Sequence, residues 1–62
     1  MTTVLVVDDE PRIARLVADY LQQAGYRVVE AGDGRAALEQ YRNHQPELVV
    51  LDLGLPELDG LD

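Results

Sequence analysis

Val4-Leu5-Val6-Val7-Asp8-Asp9-Glu10 is the stretch on which the fold turns, and Leu48-Val49-Val50-Leu51-Asp52 is its echo further along. Both are unbroken runs of aliphatic, mostly β-branched residues without polar alternation. That pattern belongs to strands covered on both faces of a parallel sheet. Each run stops at aspartate. Between the two, Pro11 suits the first turn of a helix, and Ile13, Leu16, Val17, Tyr20, Leu21 and Ala24 recur at three- and four-residue steps as one apolar stripe. Gly25 stands where a helix ends, and residues 26–31 read as a second strand whose Arg27 and Glu30 mark a sheet edge. A second helix is predicted over residues 34–44, with Asp33 as its cap, a thin stripe of Ala37, Leu38 and Tyr41, and Pro46 closing it off.

The order β-α-β-α-β with short joints predicts an α/β unit with a parallel three-stranded sheet. Crossovers in such units are right-handed. Helices on both faces therefore require the strand order 2-1-3, with the charged second strand at the edge and the uniformly apolar first strand in the middle. Residues 53–62, with Gly54, Pro56 and Asp59-Gly60, read as loop and turn. The chain holds no internal repeat, low-complexity tract or linker.

Composition narrows the chemistry. The 62 residues carry a formal net charge of −7 and no cysteine, which removes disulfides and thiolate metal sites. All the basic residues are arginines and serine is absent, so serine nucleophiles, Schiff-base lysines and phosphate-loop lysines are excluded by inventory. No apolar run approaches the ~20 residues of a membrane span and no secretory leader is visible, so the expectation is a cytoplasmic protein with no membrane association. The acidic balance repels phosphate backbones and sets this segment against direct nucleic-acid binding. Cations and basic surfaces are its expected partners.

In the 2-1-3 order the first and third strands are neighbours ~4.8 Å apart, and Asp8, Asp9 and Asp52 converge at the edge where strand order reverses, the usual ligand crevice of open α/β sheets. Carboxylates 4 Å apart repel by about 4 kcal/mol at an effective dielectric of 20, so three together call for a proton or a cation. All-oxygen donors favour magnesium, and magnesium brings phosphate. Asp-Asp-Glu before a helix also reads as capping by Asp9 or Glu10, and Asp52 alone as a turn residue. Capping does not, however, require two separate strands to end in aspartate side by side.

VLVVDDE at residues 4–10, followed by Asp52 in DLGLPELDG, resembles the CheY-like receiver domains of two-component response regulators, and is most similar to OmpR/PhoB-type receivers. The resemblance covers the whole chain and implies a partial receiver domain over residues 1–62: the first three strands, two helices and the phosphorylation-site loop. It implies Asp52 as phosphoacceptor from a sensor histidine kinase. It further implies Mg²⁺ held directly by Asp9 and Asp52 and by the Gly54 carbonyl, with Asp8 acting through water, and control of a DNA-binding output domain. The family's hydroxyl residue after strand four and lysine after strand five have no counterpart here. Gly54 is smaller than the family's usual residue, which implies an acyl phosphate more open to water.

An alternative expectation is a signalling-inactive fragment that associates through the third strand with another copy or with the missing half of a longer domain. A phosphatase with an aspartate nucleophile ranks last, because its D-x-D pair is replaced here by adjacent aspartates. His44, at the end of the second helix, is expected to complement the helix dipole rather than to donate phosphate. Tyr20, Tyr26 and Tyr41 are expected in the core, and Arg12 and Arg15 on a solvated face.

Overall fold

The computed structural model describes residues 1–52, Asp52 by its backbone. The elements are β1 (Thr3–Asp8), α1 (Pro11–Gln23), β2 (Arg27–Ala31), α2 (Gly34–His44) and β3 (Leu48–Asp52). They form a parallel sheet in the order β2-β1-β3, as the apolar runs require. The tail reading falls on residues outside the described ones.

Central β1 is buried on both faces, which explains its lack of alternation. Val4 and Val6 pack with Ala14, Val17, Leu21, Val28 and Val50 under α1. Leu5 and Val7 pack with Val29, Ala31, Ala36 and Ala37 under α2. The two helices therefore cover opposite faces, with strand parity deciding which side chain meets which helix.

The helix ends follow from local chemistry. Gly25 adopts φ +101 and closes α1: its N–H donates to the Gln22 carbonyl at 3.0 Å, and the Tyr26 N–H donates to Leu21 at 3.1 Å. This is a Schellman arrangement, and it explains why β2 begins at Arg27 rather than Tyr26: the Tyr26 N–H is already committed to the helix. Asp33 caps α2 as expected, its Oδ1 accepting from the Ala36 N–H at 2.8 Å. Gln45, at φ 48, then turns the chain out of α2 by a left-handed step.

The expected apolar stripe of α1 is corrected. Ala14 and Ala18 are buried and Val17 and Leu21 border the core, whereas Ile13, Leu16 and Tyr20 are exposed, Tyr20 at 78%. Alanine at the contact line lets the helix axis approach β1 closely, and larger residues one third of a turn away are then carried off the sheet. Tyr26 and Tyr41 are likewise exposed, so none of the tyrosines is a core residue. Ala18 is buried at 1% exposure, so Ala18→Leu overpacks a filled site and should destabilise the fold by about 1–3 kcal/mol, read from urea unfolding.

Register at the start of the sheet is set by Glu47. Its N–H donates to the Thr3 carbonyl at 2.9 Å, and its Oε1 accepts from the Thr3 N–H at 2.8 Å. The Thr3 N–H, and then the residue's own N–H, hold the Glu47 carboxyl below its ordinary value of 4.5. A depressed carboxyl stabilises the fold above its unfolded pKa, and that contribution is lost as pH falls through the folded value. Glu47→Gln should therefore flatten the acid limb of the melting midpoint against pH below about 4.5 and leave the neutral limb's slope unchanged.

Candidate functional site

Asp8 is the last residue of β1 and the one charged side chain among the described residues that is buried, at 4% exposure. Even-numbered β1 residues face α1, so strand parity carries Asp8 inward. Its Oδ1 accepts from the Glu10 N–H at 2.8 Å, an Asx turn that leads the chain into the helix. Its Oδ2 is buried and has no hydrogen-bond partner among the described residues. An unpartnered buried carboxylate oxygen is costly, and Oδ2 is the one buried side-chain polar atom left so among the described residues.

Asp9 and Glu10 are exposed. Glu10 occupies the N-cap of α1 but no side chain caps the helix, and Pro11 follows in its first turn. Capping therefore does not account for Asp9 or Glu10. Asp52 ends β3, and its Cα is the register partner of Asp8, which brings the two aspartates to one rim of adjacent strands. The Asp52 side chain and Gly54 lie outside the described residues. His44 closes α2 at the opposite rim, where Leu48 starts β3.

Beside Asp8 a cavity of about 160 Å³ is lined by Pro11 and Ala14 of α1 and by Glu30, Ala31 and Gly32 at the end of β2. Arg15 Nε lies 3.6 Å from Glu30 Oε2. Sequence patterning had placed Arg15 on a solvated face and Glu30 merely at an edge. Their meeting follows from parity: Glu30 pairs with Val6, whose side chain packs under α1.

No three His, Cys, Asp or Glu side chains among the described residues are grouped closely enough to hold a metal ion. Asp8 and Asp9 are two carboxylates at one strand end, and the free Oδ2 of Asp8 fits a hard cation or its bound water as the missing partner.

The described residues thus form a parallel α/β unit in which the adjacent strands β1 and β3 both end in aspartate. Comparison with known proteins gives the family directly: the profile described as "Response regulator receiver domain" matches residues 4–62, and the chain belongs to that family. It is 48% identical over 62 residues to the transcriptional regulatory protein KdpE of Mycobacterium tuberculosis, covering 100% of this chain and 27% of that protein. It is 46% identical over 59 residues to the alkaline phosphatase synthesis transcriptional regulatory protein PhoP of Bacillus subtilis, covering 95% of this chain and 25% of PhoP. The response regulator GtcR of Aneurinibacillus migulanus is 41% identical over 58 residues, 94% of this chain and 24% of GtcR. The chain thus spans about a quarter of the length of these curated relatives. No helix among the described residues is long and apolar enough to cross a membrane.

Asp8→Asn keeps an oxygen for the Glu10 N–H and removes the unpartnered charge. Without metal the variant should be more stable by about 1 kcal/mol, a rise of about 4–8 °C in melting midpoint. The check is calorimetry in EDTA.

Proposed function

We propose that this chain is the phosphoacceptor part of an OmpR/PhoB-type response regulator, in which Asp52 takes a phosphoryl group from a sensor histidine kinase and so controls a DNA-binding output domain. The observation that carries this reading is the β1–β3 register, Asp8 opposite Asp52, together with the unpartnered buried oxygen of Asp8. The family match and the transcriptional names of the relatives support it.

In the proposed step a carboxylate oxygen of Asp52 attacks phosphorus in line. The new O–P bond forms as the N–P bond to the kinase imidazole breaks, and the imidazole leaves with the bonding pair. Asp9, Asp52 and the Gly54 carbonyl would hold Mg²⁺, with Asp8 reaching it through water. A bound Mg²⁺ supplies neutralisation of charge on the phosphoryl oxygens. Asp8 is pre-set for its part, because the Glu10 N–H fixes one oxygen and leaves the other free. The domain is a signalling module rather than a turnover enzyme in this reading, and its place is the cytoplasm, where kinase and DNA are reached together.

Self-association through β3 is the second reading. Leu48, Val49 and Leu51 are exposed, and an apolar groove of about 240 Å³ runs between β3 and α2, lined by Val7, Ala37, Leu38 and Tyr41 among others. Light scattering after size exclusion should show a concentration-dependent dimer if this surface pairs, and a monomer throughout contradicts it.

The phosphoacceptor reading is tested by mass spectrometry after treatment with acetyl phosphate and MgCl₂. A single base-labile phosphoryl group should appear and be absent from Asp52→Asn. Labelling that persists in Asp52→Asn, or no labelling in the intact protein, contradicts it.

A further inference from the structure

The cavity beside Asp8 carries a carboxylate that the proposed site does not use. Glu30 pairs in register with Val6, two residues before Asp8 on the neighbouring strand, so Glu30 and Asp8 occupy diagonal positions on the α1 face of the sheet. Both line the same cavity of about 160 Å³. Asp8 is 4% exposed and its Oδ2 lacks a partner among the described residues, which is an independent sign that this corner awaits a ligand atom. The cavity has room for several waters. Arg15, from the helix above, sits 3.6 Å from Glu30 and so stands at the same corner with the opposite charge.

We propose that Glu30 is a positioning residue of the cation site, acting on the ion's outer water shell across this cavity, and that Arg15 is the counter-charge that sets its strength. The inference rests on the phosphoacceptor reading, since it presumes a divalent cation at Asp8. Glu30 does not touch the ion: no three carboxylate or imidazole side chains among the described residues are close enough to share one directly. Its effect travels through water and through the local potential. Hydrated magnesium suits such an arrangement, because it dehydrates reluctantly and keeps several of its waters. Groups that hold a ligand's outer partners are known to tune affinity without contacting the metal.

Charge logic makes the pair's two halves act in opposite directions. Removing the Glu30 charge withdraws an acceptor for the ion's waters and leaves Arg15 without its partner, free to turn its positive charge on the site. Removing the Arg15 charge leaves Glu30 unneutralised. A merely structural ion pair between α1 and β2 would instead give both variants the same sign of effect, through lost stability.

Isothermal titration of the protein with MgCl₂ at low ionic strength tests this. Glu30→Gln should weaken magnesium binding roughly threefold and Arg15→Gln should strengthen it roughly threefold, the size expected for one charge several ångströms away across water. Both effects should shrink as NaCl is raised. Glu47→Gln, which removes the same charge at the opposite rim, should leave the affinity unchanged. If Asp8→Asn weakens binding while neither Glu30→Gln nor Arg15→Gln alters it, the inference is overturned and the phosphoacceptor reading stands. If Glu30→Gln and Arg15→Gln shift affinity in the same direction, the pair is structural and the inference is overturned. If Asp8→Asn does not weaken binding, both fall.

Discussion

Parallel pairing of β1 with β3, in the register that sets Asp8 opposite Asp52, is the constraint from which the rest of the molecule follows. Residues distant in the chain become neighbours only because an α-helical crossover returns each strand in the same direction. A shift of one residue would turn every buried side chain of a strand to the other face. Val4 and Val6 would then meet α2, and Leu5 and Val7 would meet α1, against the volumes that Ala14 and Ala37 leave for them. Hydrophobic burial and acidic convergence are thus enforced by the same register. The double hydrogen bond between Glu47 and Thr3 holds it at the far rim.

Because β1 is central, Asp8 ends a strand that is covered on both sides, and its carboxylate is largely withdrawn from solvent. The chain satisfies one oxygen with the Glu10 N–H and leaves the other without a partner among the described residues. The energetic cost of that oxygen is the physical argument for the cation proposed at this rim. It also separates Asp8 from Asp9, which is exposed on the first residue beyond the strand. Two adjacent aspartates therefore have different environments: one oriented and desolvated, the other open to solvent.

Much of this was legible in the residues. The unbroken aliphatic run of β1 announced a buried parallel strand, whereas the like run of β3 is parallel but leaves Leu48, Val49 and Leu51 exposed; Arg27 and Glu30 announced the edge, and Gly25, Asp33 and Pro46 punctuated the helix termini. Strand order followed from handedness and the burial pattern. The choice between apolar faces of α1 was not legible, because Ile13, Leu16 and Tyr20 form as regular a stripe as Ala14, Val17, Ala18 and Leu21. In the structure it is the line of Ala14, Val17 and Leu21 that packs against Val4 and Val6. Nor was the meeting of Arg15 with Glu30 visible, since it needs strand parity and helix placement together. The Asx turn at Asp8 was hidden for a different reason: Asp-Asp-Glu before a helix suggests a cap, and the hydrogen bond goes instead from Glu10 back to the strand's last residue.

In the proposed function the ends of β1 and β3 share one cation. Paramagnetic relaxation by Mn²⁺, added in place of Mg²⁺ to ¹⁵N-labelled protein, reads this directly. The amides of Asp8, Asp9 and Asp52 should broaden together at substoichiometric metal, while those of Thr3 and Glu47 stay sharp. Broadening at Asp8 and Asp9 that spares Asp52, or broadening spread evenly over the acidic surface, would contradict a shared site.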